Sequence, residues 1–516
     1  MRMVRRTLVC WWLVWLSAST SAADRPNILF IFSDDHASKA VSAYDRSLIE
    51  TPNIDRIARQ GIRFDNCFAT NSLCSPSRAV VLTGKHSHLN SKKGNNKGEV
   101  FDGSQVTFPK LLQKAGYQTA LIGKWHLESE PTGFDHWSIL PGQGHYYQPD
   151  FITPEGTISK RGYVTDVVTD MSLDWLQRER DPDKPFLLMC HHKAPHREVH
   201  PAIRHLDLLQ SVDFPEPENL MEDLTARWGE EAPQGIRLDK VLDLTSSLRI
   251  PPDALGRKGK VPRNYQQGRG RMTPEELSAW DRAYEQRIAE FLEHRPQGKQ
   301  LRQWMYQEIM RDYLRTVVAI DENVGRLLDY LDESGLADNT LVVYSSDQGF
   351  FLGEHGLFNK RYMYEESIRM PLVMRWPGHI RGGSQSDALV QNLDFAQTFL
   401  DAAGVAAPDE MQGESLVPLL NGSARAPWRD EVYYRYYGSS GSFAVPAHYG
   451  VRTARYKLIY FYKLDLWELF DLENDPQEMQ NLANDPEHQD LLAEMKGRLR
   501  DVQIRYREKR PLSEAK

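Results

Sequence analysis

Four apolar runs constrain this chain more than any other feature, because each stops abruptly at a polar cluster. "ILFIF" runs into Ser33-Asp34-Asp35, "TALI" into Gly123-Lys124-Trp125-His126, "FLLMC" into His191-His192-Lys193-Ala194-Pro195-His196, and "LVVY" into Ser345-Ser346-Asp347-Gln348. Unbroken apolar runs suit strands covered on both faces, as in a parallel sheet. Helical segments alternate with them. Thr51-Pro52 opens and Gly61 closes "PNIDRIARQ", "TFPKLLQKAG" precedes "YQTALIGKW", and Gly335 stops the helix before "TLVVYSS". The alternation predicts an α/β fold with a large, mixed but mainly parallel sheet sandwiched by helices. Ligands of such sheets bind beyond the carboxyl ends of the strands. Four separate segments therefore aim polar residues at one edge.

A chain of 516 residues exceeds one compact core, and its composition changes along its length. Residues 1–23 read as a cleaved signal peptide: "MRMVRR" is basic, "TLVCWWLVWL" is apolar but too short to span a bilayer, and Ala23 precedes the cut. The expected product is secreted or periplasmic, with no membrane span. Residues 24–424 form the expected catalytic domain, with a largely helical insertion at about 205–310 that includes "TPEELSAWDRAYEQRIAEFLEHR". From 425 to 516, the aromatic runs "EVYYRYY", "HYGVRTARYKLIYFY" and "LWELFDL", with a last helix near 485–505, predict a smaller antiparallel sheet plus helix. A net charge of -8 offers no general attraction to nucleic acid.

Beyond the leader stand Cys67, Cys74 and Cys190, too few for a disulfide framework and without zinc-site spacing. Cys67 and Cys190 lie in apolar stretches, inert or paired with each other. Cys74, among Ser, Pro and Arg at a helix start, is different. Asp34, Asp35, Asp347 and the Gln348 amide are hard oxygen donors that suit Ca²⁺ or Mg²⁺ rather than zinc. A lone Asp would more often be a cap, but adjacent carboxylates after a buried strand repel without a cation. Arg78, Lys124, His126, His196 and Lys360 add positive or protonatable groups. His191, His192, His196 and His200 do not make a zinc helix, because Pro195 would break it. Trp125 reads as packing, and "PGQGHYY" as a loop beside substrate. Metal-bound oxygens with several cations suit a tetrahedral oxyanion, phosphate or sulfate. These residues together imply an exported, metal-dependent esterase, and a Cys74 thiolate nucleophile would sit badly beside a hard metal.

"CSPSRAVVLTG" at 74–84 resembles the type I sulfatase signature C-x-P-S-R with L-T-G, and "GKWHL" at 123–127 resembles the second signature of that family. The likeness extends from "RPNILFIFSDD" to "KLIYFY" and implies the alkaline-phosphatase-like sulfatase fold. It further implies that a maturation enzyme reads Cys74, Pro76 and Arg78 and oxidises Cys74 to formylglycine, whose hydrate is an oxygen nucleophile. Asp34, Asp35, Asp347 and Gln348, the last where many relatives have Asn, would hold Ca²⁺ with residue 74. Arg78 and Lys124 would stabilise the diol and sulfate, and His126 would bond its hydroxyl. His196 and Lys360 would meet the ester oxygen, with His196 as general acid. The implied reaction is in-line attack on sulfur, release of the alcohol and then of sulfate.

"ETPNIDRIARQGIRF" and "TFPKLLQKAGYQTALIGKWHLESEPTGFDHW" resemble the N-acetylglucosamine-6-sulfatase-like branch, which implies a 6-O-sulfated N-acetylglucosamine in a glycan as substrate. Asn359, Arg361 and His448 are the expected sugar contacts. Competing expectations are a sulfatase of another sugar, a phosphomonoester or phosphonate hydrolase on the same scaffold, and a silent glycan-binding relative.

Overall fold

Every residue of the strand Asn27–Asp34 is buried, because its two faces meet different helical layers. Ile28, Phe30 and Phe32 join a core with the helices Cys74–Thr83, Phe108–Lys114 and Phe395–Ala402. Leu29 and Ile31 join a second core with Pro52–Gln60, Val164–Asp174 and Gly298–Glu333. Each such side chain contributes about 1.5–3 kcal/mol by leaving water. That double covering is why the run carries no polar alternation. The computed structural model describes residues 25–508 apart from 97, 230–234, 258–260 and 425–427. The expected signal peptide and the boundary at 425 lie outside the described residues.

The ten-stranded sheet runs in the order Ser384–Ser386, Ile62–Phe64, Leu372–Arg375, Thr340–Ser346, Asn27–Asp34, Phe186–Pro195, Gln118–Lys124, His136–Leu140, Asp150–Thr153, Gly156–Ser159. Its middle, from Thr340–Ser346 to His136–Leu140, is parallel. Antiparallel pairs stand toward the margins. One irregularity falls in the centre. Phe32 opposes His191 but Asp34 opposes Pro195, so the strand Phe186–Pro195 carries a bulge across His192, Lys193 and Ala194.

The helix Pro52–Gln60 forms where expected, with Pro52 in its first turn, but Thr51 does not cap it. The first amides, of Asn53 and Ile54, donate instead to Asp321 of the long helix at 3.0 and 2.9 Å, while the Thr51 hydroxyl accepts from Ser42. The expected insertion is only partly helical. Arg263–Arg269 and Pro274–His294 are its longer helices, the second opened by a Thr273–Glu276 capping box. The next helix, Gly298–Glu333, runs past 310 and buries Ile320, Val324 and Leu327 against the main sheet, so the stretch is continuous with the core.

The C-terminal segment has a four-stranded antiparallel sheet, Glu431–Tyr436, His448–Thr453, Tyr456–Phe461 and Leu466–Asp471. One face packs on the helix Gln489–Arg505 through Met495, Leu499 and Val502. The other packs Tyr434, Ile459 and Phe461 against Phe351, Tyr362 and Tyr364 of the large unit. Cys67 and Cys190 are free and belong to different cores on opposite faces of the main sheet, so they do not pair. Among the described residues no helix is long and apolar enough to cross a membrane.

Candidate active site

The carboxyl edge of the parallel strands gathers the predicted residues. Asp34 ends its strand and Asp35 follows; Asp347 and Gln348 follow Thr340–Ser346; Lys124 ends Gln118–Lys124. His196 follows Phe186–Pro195, a strand throughout, which removes the zinc-helix alternative. Cys74 opens the helix Cys74–Thr83 and Arg78 lies one turn further on. Its sulfur is 3.2 Å from Asp34 Oδ1 and 3.3 Å from Lys360 Nζ. Arg78 donates to Asp347 Oδ2 from Nε at 3.1 Å and from Nη2 at 3.0 Å, and to the Lys124 carbonyl at 2.9 Å. The fork fixes Asp347 and the end of the Lys124 strand together.

Asp34, Asp35, Asp347 and Cys74 bring ligand-type atoms within 4.8 Å of one another, and all are buried. Asp35 Oδ2 and Gln348 Oε1 are buried with no hydrogen-bond partner. The ammonium groups of Lys124 and Lys360 lie against Asp34 and Asp35. Burial pushes the Asp35 carboxyl above its ordinary range, Lys360 pulls it back, and Asp347 pushes it up again. Buried carboxylates cost several kcal/mol each unless compensated. The orphaned oxygens and the all-oxygen carboxylate and amide set fit a hard divalent cation, with Gln348 presenting Oε1 after an amide rotation.

Cys74 itself is fully buried, and burial pushes its thiol up to about 12 against the pull of Lys360. It is a neutral thiol at ordinary pH, so the residues do not build a thiolate nucleophile. Burial also holds Lys124, His126 and His196 well below their usual values, and neighbouring lysines depress both histidines further. Lys360 goes the other way: burial opposes its charge, but Asp35 and then Cys74 and Asp347 raise it.

Backbone strain collects here. Asp35, His126, Asn359 and Arg361 have φ of 67°, 57°, 147° and 105°, each costing on the order of 1–3 kcal/mol in a residue with a side chain. Gly123 is required before Lys124, since at φ 107° a Cβ would stand 2.0 Å from the His191 carbonyl oxygen.

Beyond the carboxylates opens a cavity of about 490 Å³. His196, Lys360, Asn359 and Arg361 line it, as do the "PGQGHYY" loop and the helix Arg263–Arg269. His448 does not. It is fully buried among Tyr362, Tyr434, Tyr436 and Phe461, with Nδ1 2.8 Å from the Pro446 carbonyl. Its strand register, opposite Tyr436, turns it into that aromatic cluster, which corrects the expectation of a sugar contact. Trp125 packs in the core as expected.

Two residues lie in segments the sequence singles out, the loop beside substrate and the polar cluster after "FLLMC", but the sequence assigns them no role. Gln143 accepts from Lys124 Nζ at 2.5 Å and donates to His126 Nε2 at 3.1 Å. Lys193 enters the cavity wall from the bulge. A glutamine in a loop and a lysine beside three histidines carry no motif. The bulge itself is unreadable from a single sequence.

Sulfatase family sequences match residues 26–405, and the C-terminal region of N-sulphoglucosamine sulphohydrolase matches residues 353–505. The chain belongs to the type I sulfatase family. It is 49% identical over 493 residues to an N-acetylglucosamine-6-O-sulfatase of Bacteroides thetaiotaomicron, covering 94% of this chain and 88% of that one. Human N-acetylglucosamine-6-sulfatase is 28% identical, across 82% of this chain and 69% of its own length. A protein solved in complex with its substrate D-glucosamine-2-N,6-O-disulfate superposes with a TM-score of 0.90 at 49% identity, covering 95% of this chain and all of that one. The fold, at a TM-score of 0.67 and 20% identity over 93% and 96% of the two chains, also recurs in a phosphonate monoester hydrolase of Silicibacter pomeroyi. This sulfatase thus has the expected fold, a mixed mostly parallel sheet with a C-terminal antiparallel one.

Proposed function

We propose that this sulfatase is exported and removes the 6-O-sulfate of a terminal glucosamine in a sulfated glycan, using Ca²⁺ and a formylglycine made from Cys74. One observation carries the reading: Cys74, three buried carboxylates and three buried cations share one centre, which opens into a cavity sized for a sugar. The 49% likeness to an N-acetylglucosamine-6-O-sulfatase supports position and sugar. Export rests on the leader read in residues 1–23, and conversion of Cys74 on a maturation enzyme that recognises Cys74, Pro76 and Arg78.

Asp34, Asp35, Asp347 and Gln348 would hold the cation beside residue 74, and the cation would supply charge stabilisation to a sulfate oxygen. The aldehyde hydrate would supply an oxygen nucleophile in place of an inert thiol. Lys360, 3.3 Å from the Cys74 sulfur, and Lys124, against Asp34, bind the sulfate oxygens. Arg78 holds Asp347 and the Lys124 backbone in place. His126, held by Gln143, accepts a hydrogen bond at Nε2. His196, with its backbone carbonyl fixed by the Tyr146 hydroxyl at 2.6 Å, stands at the cavity mouth to protonate the departing sugar oxygen. Depressed by burial and by neighbouring lysines, His196 gains basicity when a bound sulfate offsets those cations.

Peptide mass spectrometry of residue 74, on protein purified from its own host, tests the nucleophile: an unmodified Cys overturns it. Desulfation of defined 6-O-, 4-O-, 3-O- and 2-O-sulfated saccharides tests the substrate. Turnover confined to sulfated galactose would overturn the sugar assignment, and preference for matched phosphate or phosphonate esters would overturn the sulfatase chemistry.

A further inference from the structure

The cavity wall has a charge imbalance that the catalytic centre does not use. Beside the catalytic Lys360, the cations Lys193, Arg197, Arg271 and Arg361 line it against one acid, Glu198, in a chain whose overall charge is negative. Most of these cations are already held: Arg197 by Glu198 at 2.8 Å, Arg271 by Asp150, Lys360 by Asp35, and Arg361, with no acid, by the Asn359 amide oxygen at 2.8 Å. Lys193 is not. It is 4% exposed, and its ammonium makes no hydrogen bond or ion pair with the described residues; only its backbone carbonyl is bonded, accepting from the His196 amide at 3.1 Å. Its ammonium sits 4.7 Å from the centroid of the Tyr146 ring. A buried ammonium without an anion is costly, and a cation–π contact offsets only about 0.5–2 kcal/mol of that.

The backbone delivers this lysine on purpose-built geometry. The two-residue slip between Phe32/His191 and Asp34/Pro195 spans Lys193, and bulges beside active sites re-aim side chains. The same Tyr146 that carries the ammonium on its ring fixes the His196 carbonyl through its hydroxyl. Lys193 thus stands next to the group assigned to the leaving oxygen. Its charge also interacts with Asp35, Glu198 and Cys74. Across the cavity, Asn264 and Gln267 of the helix Arg263–Arg269 offer neutral hydrogen-bonding groups.

We propose that Lys193 is a specificity-determining residue that binds a second anionic group of the saccharide, distinct from the sulfate being cleaved. This rests on the sugar 6-sulfatase reading above. Two sources share the required chemistry: an N-sulfate on the same glucosamine, or the carboxylate of an adjoining uronic acid.

The test compares kcat/KM for three 6-sulfated substrates: glucosamine with an N-acetyl group, glucosamine with an N-sulfate, and an N-acetyl glucosamine joined to a uronate. The wild type should prefer one of the doubly anionic substrates by about tenfold or more, carried by KM, as expected for one charge-assisted hydrogen bond. Which one it prefers identifies the source. In Lys193→Met that preference should collapse toward unity, and Lys193→Arg should restore part of it. Thermal melts of both variants establish that each is folded. A preference unchanged in Lys193→Met, or absent from the wild type, overturns the inference. An equal loss on all three substrates in a folded Lys193→Met also overturns it, assigning Lys193 to general structure. If the wild type turns over none of the three, the parent reading fails instead.

Discussion

Replacing Gln143 with Leu should slow sulfate release without unfolding the protein. The side chain bridges two functional groups, accepting from Lys124 Nζ at 2.5 Å and donating to His126 Nε2 at 3.1 Å. A hydrogen bond to a charged group contributes about 1.5–3 kcal/mol and a neutral one about 1 kcal/mol. Full expression of both in the transition state would cost roughly 2.5–4 kcal/mol, or about 50- to 700-fold in rate at 1.4 kcal/mol per decade. Gln143 is only half-buried, so water recovers part of the loss. The expected fall in kcat/KM is therefore about tenfold to a hundredfold, with the melting temperature lowered by no more than about 2 °C.

A second substitution separates positioning from simple damage. Gln143→Glu keeps the acceptor for Lys124 but offers His126 only a carboxylate, which favours the imidazolium. Burial and then Lys124 hold His126 below its ordinary pKa in the native protein, so the new anion raises it. The acid limb of the pH–rate profile should move to higher pH. Steady-state kinetics with a defined 6-sulfated glucosamine reads both variants. A Gln143→Leu rate within about threefold of the native one, with an unmoved profile in Gln143→Glu, would refute the reasoning.

Three further outcomes are expected. Chelation of divalent cations should abolish turnover and lower the melting temperature, because it leaves Asp34, Asp35 and Asp347 buried without a divalent counter-charge; a melt unmoved by chelator argues against a resident metal. His448→Phe should keep its kinetic constants within about threefold, since the ring stacks on Tyr362 and Tyr434 rather than facing the cavity; a selective rise in KM would return His448 to the sugar. Asp312→Asn should destabilise the fold by about 3 kcal/mol at pH 7 in denaturant titration, near the low end for breaking a buried pair because Glu308 still faces Arg287. Burial opposes the Asp312 charge, but Arg287 and Arg315 more than offset it, lowering the carboxyl to about 2. Its folded pKa lies below the unfolded value, so its stabilisation is present above about pH 4 and is lost as pH falls toward 2. Asp312→Asn should flatten the stability curve in that window.

Much of the fold was legible because burial on two faces writes itself as unbroken apolar sequence, as in Asn27–Asp34 and Thr340–Ser346. The polar clusters closing those runs were legible for the same reason: Asp34, Lys124, His196 and Asp347 stand where a parallel sheet places its ligands. What escaped depends on register and tertiary contact. His448 looked polar enough to meet a sugar, yet strand pairing turned it inward. The cap of Pro52–Gln60 comes from Asp321, far along the chain. Gln143 and Lys193 acquire meaning only from the Lys124 ammonium and the bulge that they meet in space.

The helix Cys74–Thr83 has all ten residues buried, and Cys74 is wholly hidden beneath Lys360 and Asp34. No second protein can read Cys74, Pro76 and Arg78 once that layer has closed. On the proposed nucleophile, oxidation of Cys74 would have to run ahead of folding, a race fought once by each newly made chain. A chain that folded first would then be locked as a well-packed thiol form, and a fast-folding host preparation would yield stable, soluble and inactive protein. Specific activity would then report on the history of each molecule as much as on its sequence.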